Sequence, residues 1–201
     1  GDVAIPCPSC GREYDITLFQ FGRTIQCTCG TRVGLEKRIG PPENQDADLR
    51  FLADAMLGGL ARWLRFLGMD TAYDPGISDE TLVTRSFQED RRILTRDRGL
   101  LEEWTLSHVT LLESEGVEDQ LSEVAQRFPL RGRIRLFSRC PLCNSPLEPL
   151  SPEEAEERVP PRVFECTDEF FHCPACRQVY WEGGHTARIR ERLDRILGGK
   201  P

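Results

Sequence analysis

The stretch LRFLADAMLGGLARWLR, residues 49–65, contains the start of the fold. Its first five residues are mostly apolar and predict a short buried strand, which the acid Asp54 follows directly. Leucines and a tryptophan then recur at helical spacing, and Gly68 suits the position just past a helix end because glycine readily adopts a positive φ. A strand, an acid and an amphipathic helix in this order predict the first unit of an α/β sheet.

The alternation of strands and helices continues to residue 130. We expect strands at 71–73, 92–95 and 108–112, and helices following Ser78 and spanning 97–104 and 117–128. Short crossovers of this kind join parallel strands, so the segment predicts an α/β fold with a parallel sheet flanked by helices. In the common strand order 2-1-3-4, the first and third strands are neighbours.

Acidic residues follow the ends of these strands. Asp54 follows the first strand, Asp97 follows the third, and Asp79 and Glu80 begin the second helix. Because these positions share one edge of a parallel sheet, we expect the four carboxylates to converge as catalytic residues. Carboxylates so placed repel one another unless a divalent cation lies between them. The alternative is that Asp54 and Asp97 cap helices while the other two acids complement a helix dipole.

Several kinds of chemistry are excluded or disfavoured for this edge. The segment has neither a G-x-G-x-x-G motif nor a P-loop. Aspartyl-phosphate chemistry typically needs a nearby lysine, and the chain's two lysines, Lys37 and Lys200, lie outside the segment. Metal-assisted hydrolysis of a phosphodiester by Mg²⁺ or Mn²⁺ fits the acids best.

Arginines and glycines near the acids are candidates for binding the phosphates of a phosphodiester substrate. A glycine pair lets a backbone phosphate approach a helix N-terminus, and guanidinium groups bind phosphates in pairs of hydrogen bonds. The alternative for each arginine is a place on a solvated helix face. The predicted RNA-binding residues are Gly58, Gly59, Arg62, Arg65, Arg96 and Arg98.

Nine cysteines form two sets that flank a cysteine-free middle, with Cys166 left over and no role predicted for it. The sets are Cys7, Cys10, Cys27 and Cys29, and Cys140, Cys143, Cys173 and Cys176. Four thiolates at these spacings fit tetrahedral Zn²⁺ and predict two zinc ribbons in a reducing compartment. Glycine follows both pairs of the first set, where it lets the backbone turn. A pair of disulfides is the alternative for that set, and an iron centre for electron transfer is a third possibility, since residues 7–14 faintly resemble a rubredoxin knuckle.

Composition and the positions of cysteines, prolines and glycines indicate the domain organisation. We expect an N-terminal zinc ribbon at 1–38, a proline-rich linker at 39–48, the α/β domain at 49–130, a C-terminal zinc ribbon at 131–185 and a basic amphipathic helix at 186–201. Within the N-terminal ribbon we expect strands at 14–21 and 24–26. Within the C-terminal ribbon we expect a strand at 131–137 and a helical turn at 151–157. The net charge of −7 excludes a generally basic nucleic-acid binder. No apolar run is long enough to span a bilayer, and the first residues lack the features of a secretory signal, so we expect a soluble, cytoplasmic protein that does not bind membranes.

Specific motifs resemble the Mut-seven C-terminal RNase family. They are residues 51–65, 78–82, 93–98 and 159–163, together with the cysteine segments 140–143 and 168–183. The resemblance implies a PIN-like nuclease domain with an appended zinc ribbon. It also implies that Asp54 is the first metal-binding acid, Asp97 the last, and Asp79 a helix-borne third. The pattern departs in one respect: PIN nucleases usually carry another acid on an intervening helix, and no residue between Asp54 and Asp79 clearly takes that place.

The sequence therefore favours a Mg²⁺- or Mn²⁺-dependent endoribonuclease with two structural zinc sites. Its zinc ribbons would aid the binding of RNA or of a partner protein, the latter through the N-terminal ribbon, which lies outside the resemblance. The alternative is a catalytically inactive, zinc-dependent adaptor that binds RNA or protein on a PIN scaffold.

Overall fold

The structure is a computed structural model that describes residues 4–35, 49–106 and 108–197. The predicted linker, residues 39–48, lies outside the described residues. The strands are β1 (Ala4–Pro6), β2 (Glu13–Asp15), β3 (Ile25–Gln26), β4 (Arg32–Val33), β5 (Arg50–Ala53), β6 (Asp70–Tyr73), β7 (Arg92–Thr95), β8 (Val109–Leu111), β9 (Glu148–Leu150), β10 (Phe170–His172) and β11 (Val179–Trp181). The helices are α1 (Gly58–Phe66), α2 (Asp79–Glu89), α3 (Arg98–Glu103), α4 (Val117–Arg127), α5 (Pro152–Glu156), α6 (Pro161–Phe164) and α7 (Gly184–Ile196).

The central sheet has four strands in the order β6-β5-β7-β8 and is flanked by helices, which confirms the predicted α/β class. Counted along the α/β segment this is the order 2-1-3-4. Strands β5 and β7 pair in parallel with Leu52 opposite Ile93, and β7 pairs in parallel with β8. The carboxyl ends of β5 and β7 are therefore neighbours, as the position of the predicted acids requires.

Packing divides the chain into two compact units. One comprises Gly1–Gly58 and Ala72–Leu112, and contains the first cysteine set together with β5, β7 and β8. The other comprises Gly59–Thr71 and Glu113–Pro201, and contains the second cysteine set. The boundaries predicted from the sequence for the ribbons, the linker, the α/β domain and the terminal helix remain a prediction.

In the first unit, the N-terminal ribbon consists of the hairpins β1-β2 and β3-β4 and a 3-10 segment, Ile16–Gly22. The predicted strand at 14–21 is wrong beyond Asp15. The carboxylate of Asp15 accepts hydrogen bonds from the backbone N–H and the hydroxyl of Thr17, at 2.9 and 2.6 Å, and so caps a helical turn where the β-forming residues had indicated a strand.

The second unit contains an antiparallel sheet of β9, β10 and β11. Phe170 on β10 packs in one apolar cluster with Leu150, Ala155 and Val159. The predicted strand at 131–137 is wrong: the chain forms a 3-10 turn at Arg131–Arg133 and turns again at Phe137, which has a φ of 58°. The predicted helical turn near 151–157 is present as α5.

None of the helices in the described parts of the chain combines the length and the apolar character needed to cross a lipid bilayer.

Candidate active site and metal centres

The ends of β5 and β7 are joined by the hydroxyl of Thr95. Its Oγ1 donates a 2.5 Å hydrogen bond to Oδ2 of Asp54 and accepts one of 2.9 Å from the backbone N–H of Asp97. Asp54 is only 7% exposed and Thr95 is fully buried, so this connection is screened little by water. The structure thus connects the carboxylate of Asp54 and the backbone of Asp97 through one hydroxyl.

Asp79 lies in the electrostatic neighbourhood of the same acids. Burial raises the pKa of its carboxyl group, and the negative charges of Asp97, Asp54, Glu103 and Glu80 raise it further. Ser78, not Asp79, caps α2 by accepting a hydrogen bond from the N–H of Thr81, so the carboxylate of Asp79 has no capping role there. The negative charges of the other three predicted acids therefore act on the carboxyl group of Asp79.

Sequence reasoning missed two residues of this neighbourhood, Thr95 and Glu103. The sequence did contain a pattern that could have indicated Thr95. It is a hydroxyl residue at the last position of a strand and two residues before an acid, where its side chain can orient nearby acidic residues. Glu103 ends α3 and interacts with Asp79 only through the tertiary fold, so no local pattern marked it.

Two of the acids also cap the helices that follow them. Oδ1 of Asp54 accepts from the N–H of Ala55 at 2.6 Å, and Oδ1 of Asp97 accepts from the N–H of Gly99 at 2.7 Å. Among the described residues, no three carboxylates bring oxygens within 4.8 Å of one another. Asp54 and Asp97 therefore cap helices, as the alternative interpretation expects, and the convergence of the carboxylates on a cation stays a prediction.

Gly58 and Gly59 are required by packing. A Cβ at Gly58 would lie 2.7 Å from the hydroxyl oxygen of Tyr73, which donates to the carbonyl of Ala55 at 2.9 Å. A Cβ at Gly59 would lie 2.8 Å from Cγ2 of Val117. The hydrogen bond from Tyr73 to Ala55 supports the 3-10 turn that follows Asp54.

The four predicted arginines have different surroundings. Arg62 on α1 and Arg98 at the start of α3 are exposed, and Arg96 is half-buried. Arg65 is only 5% exposed, and it donates from Nε to the carbonyl of Thr71 at 2.7 Å and from a terminal nitrogen to the carbonyl of Leu142 at 2.8 Å. Arg65 thus has a structural role in place of the predicted RNA contact, because it is buried and donates to two backbone carbonyl groups.

Both predicted cysteine sets assemble, and the sulfur atoms within each set lie within 4.8 Å of one another. The S···S distances are 3.7 Å for Cys7–Cys29, 3.5 Å for Cys10–Cys27, 3.5 Å for Cys140–Cys176 and 3.3 Å for Cys143–Cys173. Tetrahedral Zn²⁺ with Zn–S bonds of about 2.3 Å places its sulfurs about 3.8 Å apart, whereas a disulfide bond is about 2.05 Å long. All nine cysteines are free thiols, so the disulfide alternative is wrong and both sets can hold zinc.

The four cysteine pairs share one turn geometry. The residue after the second cysteine has a positive φ and donates its N–H to the carbonyl of the first cysteine; these residues are Gly11, Gly30, Asn144 and Arg177, with donor–acceptor distances of 2.8–3.0 Å. The pair Cys27–Cys29 makes the same turn with one residue fewer. The short C-x-C spacing is therefore compatible with the same kind of metal-binding turn.

Polar neighbours favour the thiolate form of one cysteine in the first set. The backbone N–H of Cys29 and the hydroxyl of Tyr14 lower the pKa of Cys27 to about 5. In the second set, the hydroxyl of Tyr180 lies 3.1 Å from Sγ of Cys140. Cys166 is exposed and belongs to neither set.

Together these features define an α/β protein with acidic residues at the carboxyl ends of its strands and two four-cysteine centres. The chain matches the family model of the Mut7-C RNAse domain over residues 49–193, and it belongs to that family. The family assignment indicates a nuclease-type function with RNA as the substrate. No curated protein and no solved structure matches the chain.

Proposed function

We propose that this protein is a divalent-cation-dependent, PIN-like ribonuclease that cuts RNA endonucleolytically. Asp54, Asp79 and Asp97 would hold Mg²⁺ or Mn²⁺, with Glu80 beside them. The observation that supports the proposal is that the Thr95 hydroxyl connects the carboxylate of Asp54 with the backbone N–H of Asp97. In addition, burial and then the charges of Asp97 and Asp54 raise the pKa of Asp79. When bound, the cation would lower the pKa of a water molecule and offset charge on the phosphodiester.

The chain's own residues prepare this site. Thr95 fixes one oxygen of Asp54, and the N–H of Gly99 fixes one oxygen of Asp97, so both carboxylates are oriented before a cation arrives. Burial raises the pKa of Asp79 and the nearby negative charges raise it further, and a cation would relieve that repulsion.

RNA phosphates would be bound by Arg62, Arg96 and Arg98, and Gly58 and Gly59 would let a phosphate approach the start of α1. Arg62 and Arg98 are exposed, and Arg96 and Arg98 flank Asp97 in the sequence. The acidic balance of the chain makes such local arginine contacts necessary for RNA capture. We leave Arg65 out of this surface because it is buried.

The two cysteine sets would each hold one structural Zn²⁺ and support binding of RNA or of a partner protein. Nine free thiols suit a reducing compartment, for which we propose the cytoplasm. On the N-terminal ribbon, Leu18 and Phe21 are 44% and 67% exposed and are the contacts we propose for a protein partner.

One observation favours the alternative, a catalytically inactive adaptor. Asp54 and Asp97 both make capping hydrogen bonds, and no three carboxylates among the described residues are drawn together as closely as the cysteines are. An adaptor would bind RNA without cutting it, so binding and cleavage must be measured separately.

The deciding experiment uses a labelled circular RNA, which only an endonuclease can open. Wild type and Asp97→Asn are compared with Mn²⁺, with Mg²⁺ and with EDTA, and Asp90→Asn serves as a control. Asp90 is an exposed acid at the C-terminal end of α2 with a φ of 51°, which asparagine also tolerates. We expect cation-dependent linearisation by wild type and Asp90→Asn, and a loss of at least about 100-fold in Asp97→Asn. Binding without linearisation would favour the adaptor, and equal cleavage by all three proteins would remove Asp97 from the site.

A further inference from the structure

The N-terminal ribbon shares a hydrophobic core with the helices of the α/β segment. Ile16 and Phe19 of its 3-10 segment are 1% and 0% exposed. They pack in one cluster with Leu82 and Val83 of α2 and with Leu100 and Trp104 at α3. Removing apolar area of this kind from water stabilises the contact. The ribbon is therefore part of the core on which α2 and α3 rest.

Two polar contacts fasten the ribbon to the same helices. Nε2 of Gln20 donates a 2.6 Å hydrogen bond to Oε1 of Glu103, the last residue of α3. Nε2 of Gln88 on α2 donates to the carbonyl of Ala4 in β1 at 3.3 Å. The bond from Gln20 is the shorter and involves a charged acceptor, so it is the stronger of the two.

The helices that the ribbon contacts are those that place the acids. Helix α2 begins with Asp79 and Glu80, and α3 is capped at its start by Asp97. Glu103 is also one of the negative charges that surround Asp79. The match to the RNAse family begins at residue 49, so this support comes from a segment outside the matched domain.

We propose that the N-terminal ribbon is a positioning element of the carboxylate site, in which Gln20 is the positioning residue that holds Glu103 and α3 in register with Asp79 and Asp97. This inference rests on the proposed function, since it assigns the ribbon a task in the same cation site. It makes the first cysteine set a support of catalysis as well as of the ribbon's own fold.

The first test exchanges the two partners of the Gln20–Glu103 bond. Gln20→Ala removes the bond, Gln20→Glu places two carboxylates together, and Gln20→Glu with Glu103→Gln restores a bond with the roles reversed. We measure the Mn²⁺ dissociation constant by electron paramagnetic resonance, together with zinc content and melting temperature. We expect about 10-fold weaker Mn²⁺ binding in Gln20→Ala and a larger loss in Gln20→Glu. The reason is that α3 carries the proposed ligand Asp97 at its start, and a disturbed orientation of a metal ligand costs affinity on this scale. The exchanged pair should recover most of the affinity, and all variants should keep the zinc content of wild type.

Mn²⁺ affinity and RNA cleavage like wild type in both Gln20 variants would overturn the proposal. A lowered melting temperature without any change in Mn²⁺ affinity would do so too, since it would leave Gln20 a purely structural role.

The second test does not depend on activity. Cys10→Ser and Cys143→Ser each remove one exposed ligand, from the first and second set respectively. We expect faster hydrogen exchange of the α2 and α3 amides in Cys10→Ser than in wild type, and a smaller change in Cys143→Ser. Unchanged exchange in Cys10→Ser overturns the supporting role of the ribbon. If wild type binds no Mn²⁺ and cuts no RNA, the proposed nuclease fails, and the exchange data still decide whether the ribbon holds the two helices.

Discussion

Thr95 and Asp54 form a 2.5 Å hydrogen bond between neighbouring strands, with the Thr95 hydroxyl as donor and Oδ2 of Asp54 as acceptor. The same hydroxyl oxygen accepts the N–H of Asp97, so its orientation is defined from both sides. A carboxylate that is 7% exposed and anchored in this way keeps one geometry, which a cation site needs.

Thr95→Val should damage both the site and the fold. Valine keeps the shape but leaves the Asp54 oxygen and the Asp97 N–H without their partner, at a cost of about 1–3 kcal/mol in the free energy of unfolding. Mn²⁺ affinity should fall by about 10–100-fold, as when other orienting partners are lost. Urea denaturation and Mn²⁺ titration measure the two effects. Thr95→Ser keeps the hydroxyl and should retain most of the affinity, whereas equal losses in both variants would assign the effect to packing.

Asp79→Asn should stabilise the metal-free protein at neutral pH. The folded state raises the pKa of Asp79 above its ordinary value of 3.8, so the folded state binds this proton more tightly than the unfolded chain. The stability that the bound proton contributes is fully present below pH 3.8 and is lost as the pH rises through the raised pKa. In EDTA at pH 7 the variant should therefore unfold at a higher denaturant concentration than wild type, and the gain should shrink as the pH is lowered toward 3.8. The same variant should lose Mn²⁺ binding; a gain that does not depend on pH would contradict the electrostatic cause.

Arg65 and Arg62 form a matched pair on α1 with opposite expected effects. Arg65→Lys removes the fork that reaches the Thr71 and Leu142 carbonyls and should lower the free energy of unfolding by about 1–3 kcal/mol. Arg62→Ala should change stability by less than about 0.5 kcal/mol, because the side chain is exposed. It should instead weaken RNA binding and reduce the salt dependence of that binding by about one phosphate contact. Weaker RNA binding by Arg65→Lys with unchanged stability would reverse the two assignments.

Cys173→Ser should remove one metal ion and unfold the C-terminal ribbon. Cys173 is fully buried, and its sulfur lies 3.3 Å from that of Cys143. Elemental analysis should give about two zinc ions for wild type and one for the variant, because a set of three thiolates binds structural zinc far more weakly. The absorption spectrum provides an independent check: a colourless protein excludes the iron centre, and a visible iron–thiolate band would replace the zinc assignment. Cys166→Ser is the control and should keep both metal ions.

Gly58→Ala should disturb the turn after Asp54. Its Cβ would lie 2.7 Å from the hydroxyl oxygen of Tyr73, so the ring must move or the helix must shift, at a cost of about 1–3 kcal/mol. Tyr73→Ala removes the whole ring, whose Cζ would also lie 2.8 Å from the new Cβ, and should reduce the penalty of the alanine at position 58. A double-mutant cycle on melting data measures the coupling, for which we expect about 0.5–3 kcal/mol. Simple additivity would show that the contact with Tyr73 is not what excludes a side chain at this position.

Much of the fold could be predicted because its signals are local. The Arg92–Thr95 strand, the Ser78 cap of α2 and the turn at Gly68, with a φ of 89°, occur where apolar spacing and turn residues indicated them. The two failures, at 14–21 and 131–137, have a common cause. β-forming side chains indicated strands there, but a side-chain cap at Asp15 in one case and successive turns in the other gave the backbone different hydrogen bonds.

The sequence by itself determined the order of strands and helices, the two cysteine sets and the position of each acid relative to its strand, because these depend on spacing along a few turns of chain. Only the tertiary structure decided the partners. Arg65 donates to a carbonyl 77 residues away, and Gln20 donates to a carboxylate 83 residues away. A polar side chain of either kind forms its bond with whichever group the assembled core brings within about 3 Å, and no local pattern records that distance. The packing of the N-terminal ribbon on α2 and α3 is of the same kind, since buried apolar side chains specify that they are covered but not which surface covers them.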